Sequence, residues 1–295
     1  MVALQELFDQ PILELVDLDP GVDENHGSLV FRVCTVTEEV VARSFRLNQL
    51  TGPFWGNLHK LFGINPLCAA EITPIHTLLQ AISPIAVPQV LKVGHAADRE
   101  WLVVELMQGY PIADFGQLSD RGLVDFGRSL GHIHSRSFDW VGNPSGSVHL
   151  APSTFPERLV TLFRTSLDCY PDDPGLSEWM DPMCAAAVQL PPPEANVLIM
   201  PDIAPYQFLQ HNGQLVALID IDAYAIGPRE LDFICLEYWL DQRSANLFAQ
   251  GYREILPLPQ LERVRPVYRY LCRLLTIRSD LDYLQRWMSW PERFI

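Results

Sequence analysis

Asp202 and Asp220 stand eighteen residues apart, each just beyond an apolar run, with Gln207 five positions after the first acid. Val197-Leu198-Ile199 reads as a short buried strand that delivers Met200-Pro201-Asp202. His211-Asn212-Gly213 holds the Asn-Gly pair that takes positive backbone torsions in a two-residue turn, and Gln214 to Ile219 is the apolar strand returning from it. Both carboxylates can therefore emerge at one rim of a small β-structure. Such a pair suits phosphoryl transfer, a reaction that rests on placing an alcohol near a carboxylate while Mg²⁺ neutralises phosphate charge. Hard magnesium takes oxygen ligands and keeps some of its waters, which fits one or two carboxylates and a side-chain amide. One acid can accept a proton while the other holds the metal.

The elements that must position these residues belong to a chain of 295 residues with 48% hydrophobic content, enough for a large core and better suited to two lobes than to one compact unit. A net charge of −15 argues against nucleic acid, whose phosphates demand a basic surface, and favours a neutral or cationic small-molecule substrate. Acids near the N-terminus and the lack of a basic start with an apolar run predict no signal peptide. No apolar stretch is long enough to span a bilayer, so a cytoplasmic protein without a membrane partner is expected. The six cysteines are scattered without a Cys-x-x-Cys pair and read as free thiols in a reducing compartment.

Ser28 to Thr35 and Glu39 to Arg46 read as two strands joined by a tight turn. Alternation puts Val41, Arg43 and Phe45 on one face of the second, so Arg43 either faces a cleft or is a solvated strand-edge arginine. Glu71 precedes Ile75, Leu78, Leu79 and Ile82, whose spacing suggests a helix; Pro74 suits a first turn, so that helix can begin near Thr73 and leave Glu71 outside it. Trp101 to Leu106 is a strand running into Met107-Gln108-Gly109. Phe155 to Cys169, Leu231 to Tyr252 and Leu261 to Trp287 carry apolar residues at helical spacing, broken by Pro257, Pro259 and Pro266. Tyr238, Trp239, Tyr268 and Tyr270 either line a substrate pocket or, for the larger share of them, belong to the core.

From about Gly27 to Tyr252 the chain resembles the aminoglycoside phosphotransferase and choline kinase group of protein-kinase-like enzymes. There a His-Gly-Asp, four residues and an Asn form the catalytic loop, and an Ile-Asp-aromatic-acid segment replaces the kinase Asp-Phe-Gly. The resemblance implies a two-lobed α+β protein-kinase-like fold, with a small N-terminal antiparallel sheet lobe (1–107) and a larger, mostly helical C-terminal lobe (108–295). It implies ATP and Mg²⁺ as cofactors, Asp202 as catalytic base, Gln207 at the metal-binding amide position, Asp220 as principal metal ligand and Asp222 as the following acid. It further implies that Arg43 meets nucleotide phosphates with Glu71 as candidate partner, and that Glu105 and Met107 belong to the hinge whose main chain meets adenine. Asn25-His26-Gly27-Ser28 is where a phosphate-covering loop would lie, with one glycine. Asp232, in Gly227-Pro228-Arg229-Glu230-Leu231-Asp232, falls where the group has a loop brace, and His134 ends a Leu-x-x-x-His helix.

Asp114-Phe115-Gly116 and Asp125-Phe126-Gly127 spell the kinase metal motif, but both precede the catalytic loop when the motif should follow it. His132 and His134, two apart on a helix, point in different directions and do not share an ion. Two departures stand out: Met200-Pro201 replaces His-Gly, and Gln207 replaces Asn. They leave two expectations open, an ATP- and Mg²⁺-dependent phosphotransferase acting on a small-molecule hydroxyl, or a catalytically impaired kinase-like protein that binds nucleotide or a partner.

Overall fold

The computed structural model describes residues 4–19, 27–46, 49–50, 52–193 and 195–295. The chain begins with strands β1 (Glu14–Asp17), β2 (Ser28–Cys34) and β3 (Glu39–Phe45), helices α1 (Pro53–Phe62) and α2 (Ala69–Ile82), and strands β4 (Val90–Ala96) and β5 (Arg99–Glu105). The strands form one antiparallel sheet in the order β1-β2-β3-β5-β4, so β3 is central and bonded along both edges. Alternation splits the side chains of β3 between two environments. Val40 and Ala42 join Val33, Trp101 and Val103 in a small core closed by Leu4, Leu7 and Phe8. Arg43 lies on the opposite face and is buried there, which removes the reading of a solvated edge arginine. Asn25 and His26 of the expected phosphate-covering loop lie outside the described residues.

The start of α2 differs from the expected one. It begins at Ala69 and runs through Pro74, because Glu100 Oε2 on β5 accepts from Ala69 N at 2.6 Å and so supplies a helix cap from a distant strand. Glu71 therefore sits in its first turn. Helix α1 is tied to the C-terminal part of the chain by hydrogen bonds: Asn57 Nδ2 donates to Leu274 O and Ser166 Oγ donates to Asn57 Oδ1, both at 2.8 Å.

The rest of the chain forms β6 (Tyr110–Pro111), α3 (Asp120–His134), β7 (Ser137–Phe138), β8 (Val141–Gly142), β9 (His149–Leu150), α4 (Phe155–Thr165), α5 (Pro174–Val188), β10 (Asn196–Ile199), β11 (Phe208–His211), β12 (Gln214–Leu218), β13 (Ala225–Pro228), α6 (Glu230–Glu237), α7 (Gln242–Arg253), α8 (Arg265–Leu275) and α9 (Leu284–Met288). The strands make two small sheets, β7-β10-β13-β8-β9 and β12-β11-β6. The helical run expected from Leu231 to Tyr252 is two helices, since Asp241 accepts from Ser244 N at 2.7 Å and caps a new start. The run expected from Leu261 to Trp287 is likewise split, α8 ending on the left-handed Thr276 at φ 53°. Among the described residues no helix is long and apolar enough to cross a membrane.

Helices α3 and α7 cross in close contact because glycines line the crossing. A Cβ on Gly127 would strike the Phe248 carbonyl, and one on Gly251 the Val124 carbonyl. Phe115, Phe126, Phe208 and Phe248 interlock beside it at centroid separations of 5.0 to 5.8 Å. Burying each of these rings stabilises the fold by about 2–3 kcal/mol. The phenylalanines of both Asp-Phe-Gly look-alikes are thus core residues.

Candidate active site

Strand β10 is buried along its whole length and pairs with β13 from Asn196↔Pro228 to Ile199↔Ala225. Beyond its end the chain turns sharply. Ile203 N donates to Met200 O at 3.0 Å, which places Pro201 and Asp202 at the two central positions of the turn. Proline's fixed φ suits the first of these. Asp232 on α6 fastens the turn: Oδ1 accepts from Met200 N at 2.9 Å, and Oδ2 lies 3.1 Å from His134 Nε2. His134 Nδ1 in turn lies 3.0 Å from the Tyr252 hydroxyl. Helices α3, α6 and α7 therefore converge on the backbone just before Asp202. Burial raises the Asp232 carboxyl pKa, and the bonded imidazole opposes that rise.

The second acid arrives on the β11–β12 hairpin, whose Asn212 and Gly213 take φ of 51° and 74°, as a two-residue turn requires. Ser119, the cap of α3, holds the hairpin tip by donating from N and Oγ to Gly213 O at 3.0 and 3.1 Å. At the other end Ile219 N donates to Gln207 O at 2.9 Å, drawing the segment that holds Asp220 and Asp222 alongside the Asp202 loop.

Three carboxylates and one guanidinium meet there. Arg43 Nη2 donates to Asp220 Oδ1 at 3.1 Å and to Asp222 Oδ2 at 2.5 Å, and Nη1 donates to Ile219 O at 3.3 Å. The Asp220 side chain is 51% exposed, whereas Arg43 and Asp222 keep 7% and 10%. Burial alone would lower the Arg43 pKa, but Asp222 and Asp220 more than offset it and keep the guanidinium charged. Asp202 Oδ1 is buried without a hydrogen-bond partner. Burial pushes the Asp202 carboxyl up to about 7, and the Asp220 carboxylate pushes the same way. Burial also raises Asp222, against the pull of Arg43.

The expected pairing of Arg43 with Glu71 does not form. Glu71 Oε2 is taken by Asn143 Nδ2 at 2.7 Å and by Ser145 Oγ, away from the sheet. The α2 side chain close enough to feel Arg43 is His76, whose Nδ1 lies 2.8 Å from Pro88 O. Burial takes the His76 imidazole down to about 4, and the Arg43 charge adds to that effect. Sequence reasoning missed His76, although its spacing with Ile72, Ile75 and Leu79 marks a buried helix face.

Gln207 is turned back onto its own loop. Its Oε1 accepts from Ala204 N at 3.1 Å and its Nε2 donates to Asp202 O at 3.2 Å. Glu105 ends β5 opposite Val40, exposed, and Met107 follows half-buried. Tyr206, also missed from sequence, is 54% exposed beside the acids. Its ring meets Trp239 edge-on at 6.1 Å, and Arg278 stacks on Trp239 at 4.6 Å. Tyr238, Tyr268 and Tyr270 belong to the core.

Asp220 and Asp222 fit a hard divalent cation. One carboxylate is open to solvent, and the other has a buried Oδ1 without a partner. Among the described residues no three carboxylate, imidazole or thiol side chains form a metal-holding cluster, so phosphate and water oxygens would complete the shell.

A sheet lobe whose central strand sends a cation onto two acids, and a braced loop presenting a third, define a two-lobed kinase-like phosphotransferase. Residues 23–267 match the model of the phosphotransferase enzyme family, and the chain belongs to that family. By family it is a small-molecule kinase. Solved structures share the fold at low identity. The apoenzyme of a macrolide 2'-phosphotransferase from Brachybacterium faecium superposes with a TM-score of 0.61 at 16% identity, over 99% of this chain and 97% of that one. A GDP and kanamycin complex of APH(2")-IIIa gives 0.64 at 16%, over 98% and 94%. A thermostable mutant of aminoglycoside phosphotransferase APH(4)-Ia, in ternary complex with AMP-PNP and hygromycin B, gives 0.62 at 15%, over 94% and 88%. No curated protein sequence matches the chain.

Proposed function

We propose that this enzyme transfers the γ-phosphoryl group of ATP to a hydroxyl of a neutral or cationic small molecule, with Asp202 as the base. The observation that carries the reading is the buried, partnerless Oδ1 of Asp202, held on a braced turn beside Asp220. A carboxylate with a pKa near 7 is poised to accept a proton at neutral pH. As the acceptor oxygen forms its bond to γ-phosphorus and ADP leaves, the hydroxyl proton passes to the Asp202 carboxylate. Asp220 and Asp222 would hold Mg²⁺, which would supply counter-charge to the phosphates, with the Arg43 guanidinium beside it. Adenine lies against the Glu105–Met107 hinge. The acceptor lies on the wall made by Tyr206 and Trp239, and the net charge of −15 favours cationic acceptors. Kanamycin and hygromycin B, bound by two structural neighbours, are therefore the first acceptors to try.

The Met200-Pro201 departure is compatible with turnover, since Asp232 braces the loop through the Met200 backbone and Pro201 fits the turn. The test is ATP consumption over a panel of hydroxylated acceptors, with Asp202→Asn as control. Turnover with at least one acceptor, lost in the variant while ATP affinity persists, supports the reading. Equal turnover in both proteins removes Asp202 as base. ATP binding without turnover on any acceptor favours the impaired binder.

A further inference from the structure

We propose that the cleft takes a single divalent cation, on Asp220 and Asp222, with the Arg43 guanidinium in place of a second one, and that Gln207 braces the loop outside the metal's coordination. This rests on the nucleotide-binding reading above. Three observations carry it.

The amide at the position that would hold a further metal is already satisfied at both ends. Gln207 Oε1 accepts from Ala204 N and Nε2 donates to Asp202 O, and Gln207 and Ala204 are both buried. Turning Oε1 toward a cation would leave the buried Ala204 N–H without that partner, a penalty set against any metal bond gained. The extra methylene of glutamine over asparagine is what lets the side chain fold back so far.

Helix α2 does not claim the guanidinium of Arg43, which is paired with Asp220 and Asp222 instead. Glu71 is held by Asn143 and Ser145, and the α2 group that feels Arg43 is a buried imidazole whose Nδ1 bonds Pro88 O. A carboxylate there would draw the guanidinium onto the helix. Without it, among the described residues the guanidinium hydrogen bonds of Arg43 go to the segment 219–222.

The guanidinium also has the right shape. Its planar fork serves several oxygen acceptors at once and cannot lose its charge, where a lysine would be a single point charge. Strand β3 is bonded on both edges, so Arg43 enters the cleft from a fixed place.

The experiment counts Mn²⁺ bound to the full chain with saturating AMP-PNP, by equilibrium dialysis, with electron paramagnetic resonance of the bound ion. One Mn²⁺ per chain with an uncoupled spectrum is expected, and Gln207→Ala should keep that count while lowering thermal stability. Asp222→Asn should weaken Mn²⁺ binding by about tenfold or more, and Arg43→Ala should weaken AMP-PNP by a similar factor with Arg43→Lys recovering only part. Two Mn²⁺ per wild-type chain, or loss of bound Mn²⁺ in a folded Gln207→Ala protein, would overturn the inference and leave the phosphotransferase reading standing. Unchanged AMP-PNP affinity in folded Arg43→Ala would overturn the role of Arg43. Failure of the wild type to bind AMP-PNP with Mn²⁺ would overturn the nucleotide reading and this inference with it.

Discussion

Asp202 has to take a proton in surroundings that penalise its charge, and that tension makes two of its properties measurable. Asp202→Asn should leave the ATP dissociation constant within about threefold and lower turnover by roughly a hundredfold or more, since size and much of the hydrogen bonding persist while proton acceptance is lost. The same substitution should alter stability in a pH-dependent way. The folded pKa of about 7 lies above the ordinary carboxylate value, so the native state holds the proton between about pH 4 and 7. Stability that depends on the protonated acid is then lost as pH rises through 7. Melting temperatures should therefore favour Asp202→Asn more at pH 8 than at pH 5, and a constant difference would contradict the buried, raised acid. His76 works in the opposite sense. Its folded pKa of about 4 lies below the ordinary histidine value, so stability is complete above about pH 6.5 and falls as pH drops toward 4. Denaturant titrations at pH 7 and 4.5 should show wild type losing about 2–3 kcal/mol more than His76→Asn, a variant that still offers a donor to Pro88 O.

At the scale of elements, the α3–α7 crossing links stability to the site, because His134 and Tyr252 ride on those two helices and hold Asp232. Gly127→Ala should force the helices apart and cost about 1–3 kcal/mol, and turnover should fall beyond what the folded fraction explains. Urea unfolding paired with activity at equal folded fraction measures both. Such local features divide what was legible in the sequence from what was not. The β2–β3 pair, the β10 run and the Asn-Gly hairpin were readable because alternation and turn chemistry are written in neighbouring residues. The start of α2 was not, since its cap is Glu100, thirty-one residues away on another strand. The break before α7 did have a local signal in Asp241-Gln242-Arg243-Ser244, a capping pattern hidden inside a long apolar periodicity. Within the site, the approach of Asp202 and Asp220 to one another followed from order and spacing, and Asp222 entered only through the family resemblance. The partner of Arg43 did not, because which side chain of α2 faces β3 depends on how the helix is rotated against the sheet.

Over the whole molecule, ligand binding should report on the union of the two lobes, which Arg43 already joins to the 219–222 segment. ATP with Mg²⁺ at about a hundred times its dissociation constant should add about 2.7 kcal/mol to stability. In Asp220→Ala the part of the thermal shift that requires Mg²⁺ should vanish, and an unchanged Mg²⁺ dependence in the folded variant would remove Asp220 as a ligand. Helix α3 has a further consequence at this scale. Its first cap, Ser119, grips the tip of the hairpin that brings in Asp220, and its last residue, His134, grips the aspartate behind Asp202. Fifteen residues at about 1.5 Å each make it a spacer of roughly 22 Å between those two grips. Substitutions along its outer side leave that length untouched, but inserting or deleting one residue would shift one grip by 1.5 Å and swing it about 100° around the helix axis. Lineages of this chain can therefore drift in composition along the outer side of α3 while its residue count stays fixed, and length variation should collect in the connecting loops instead.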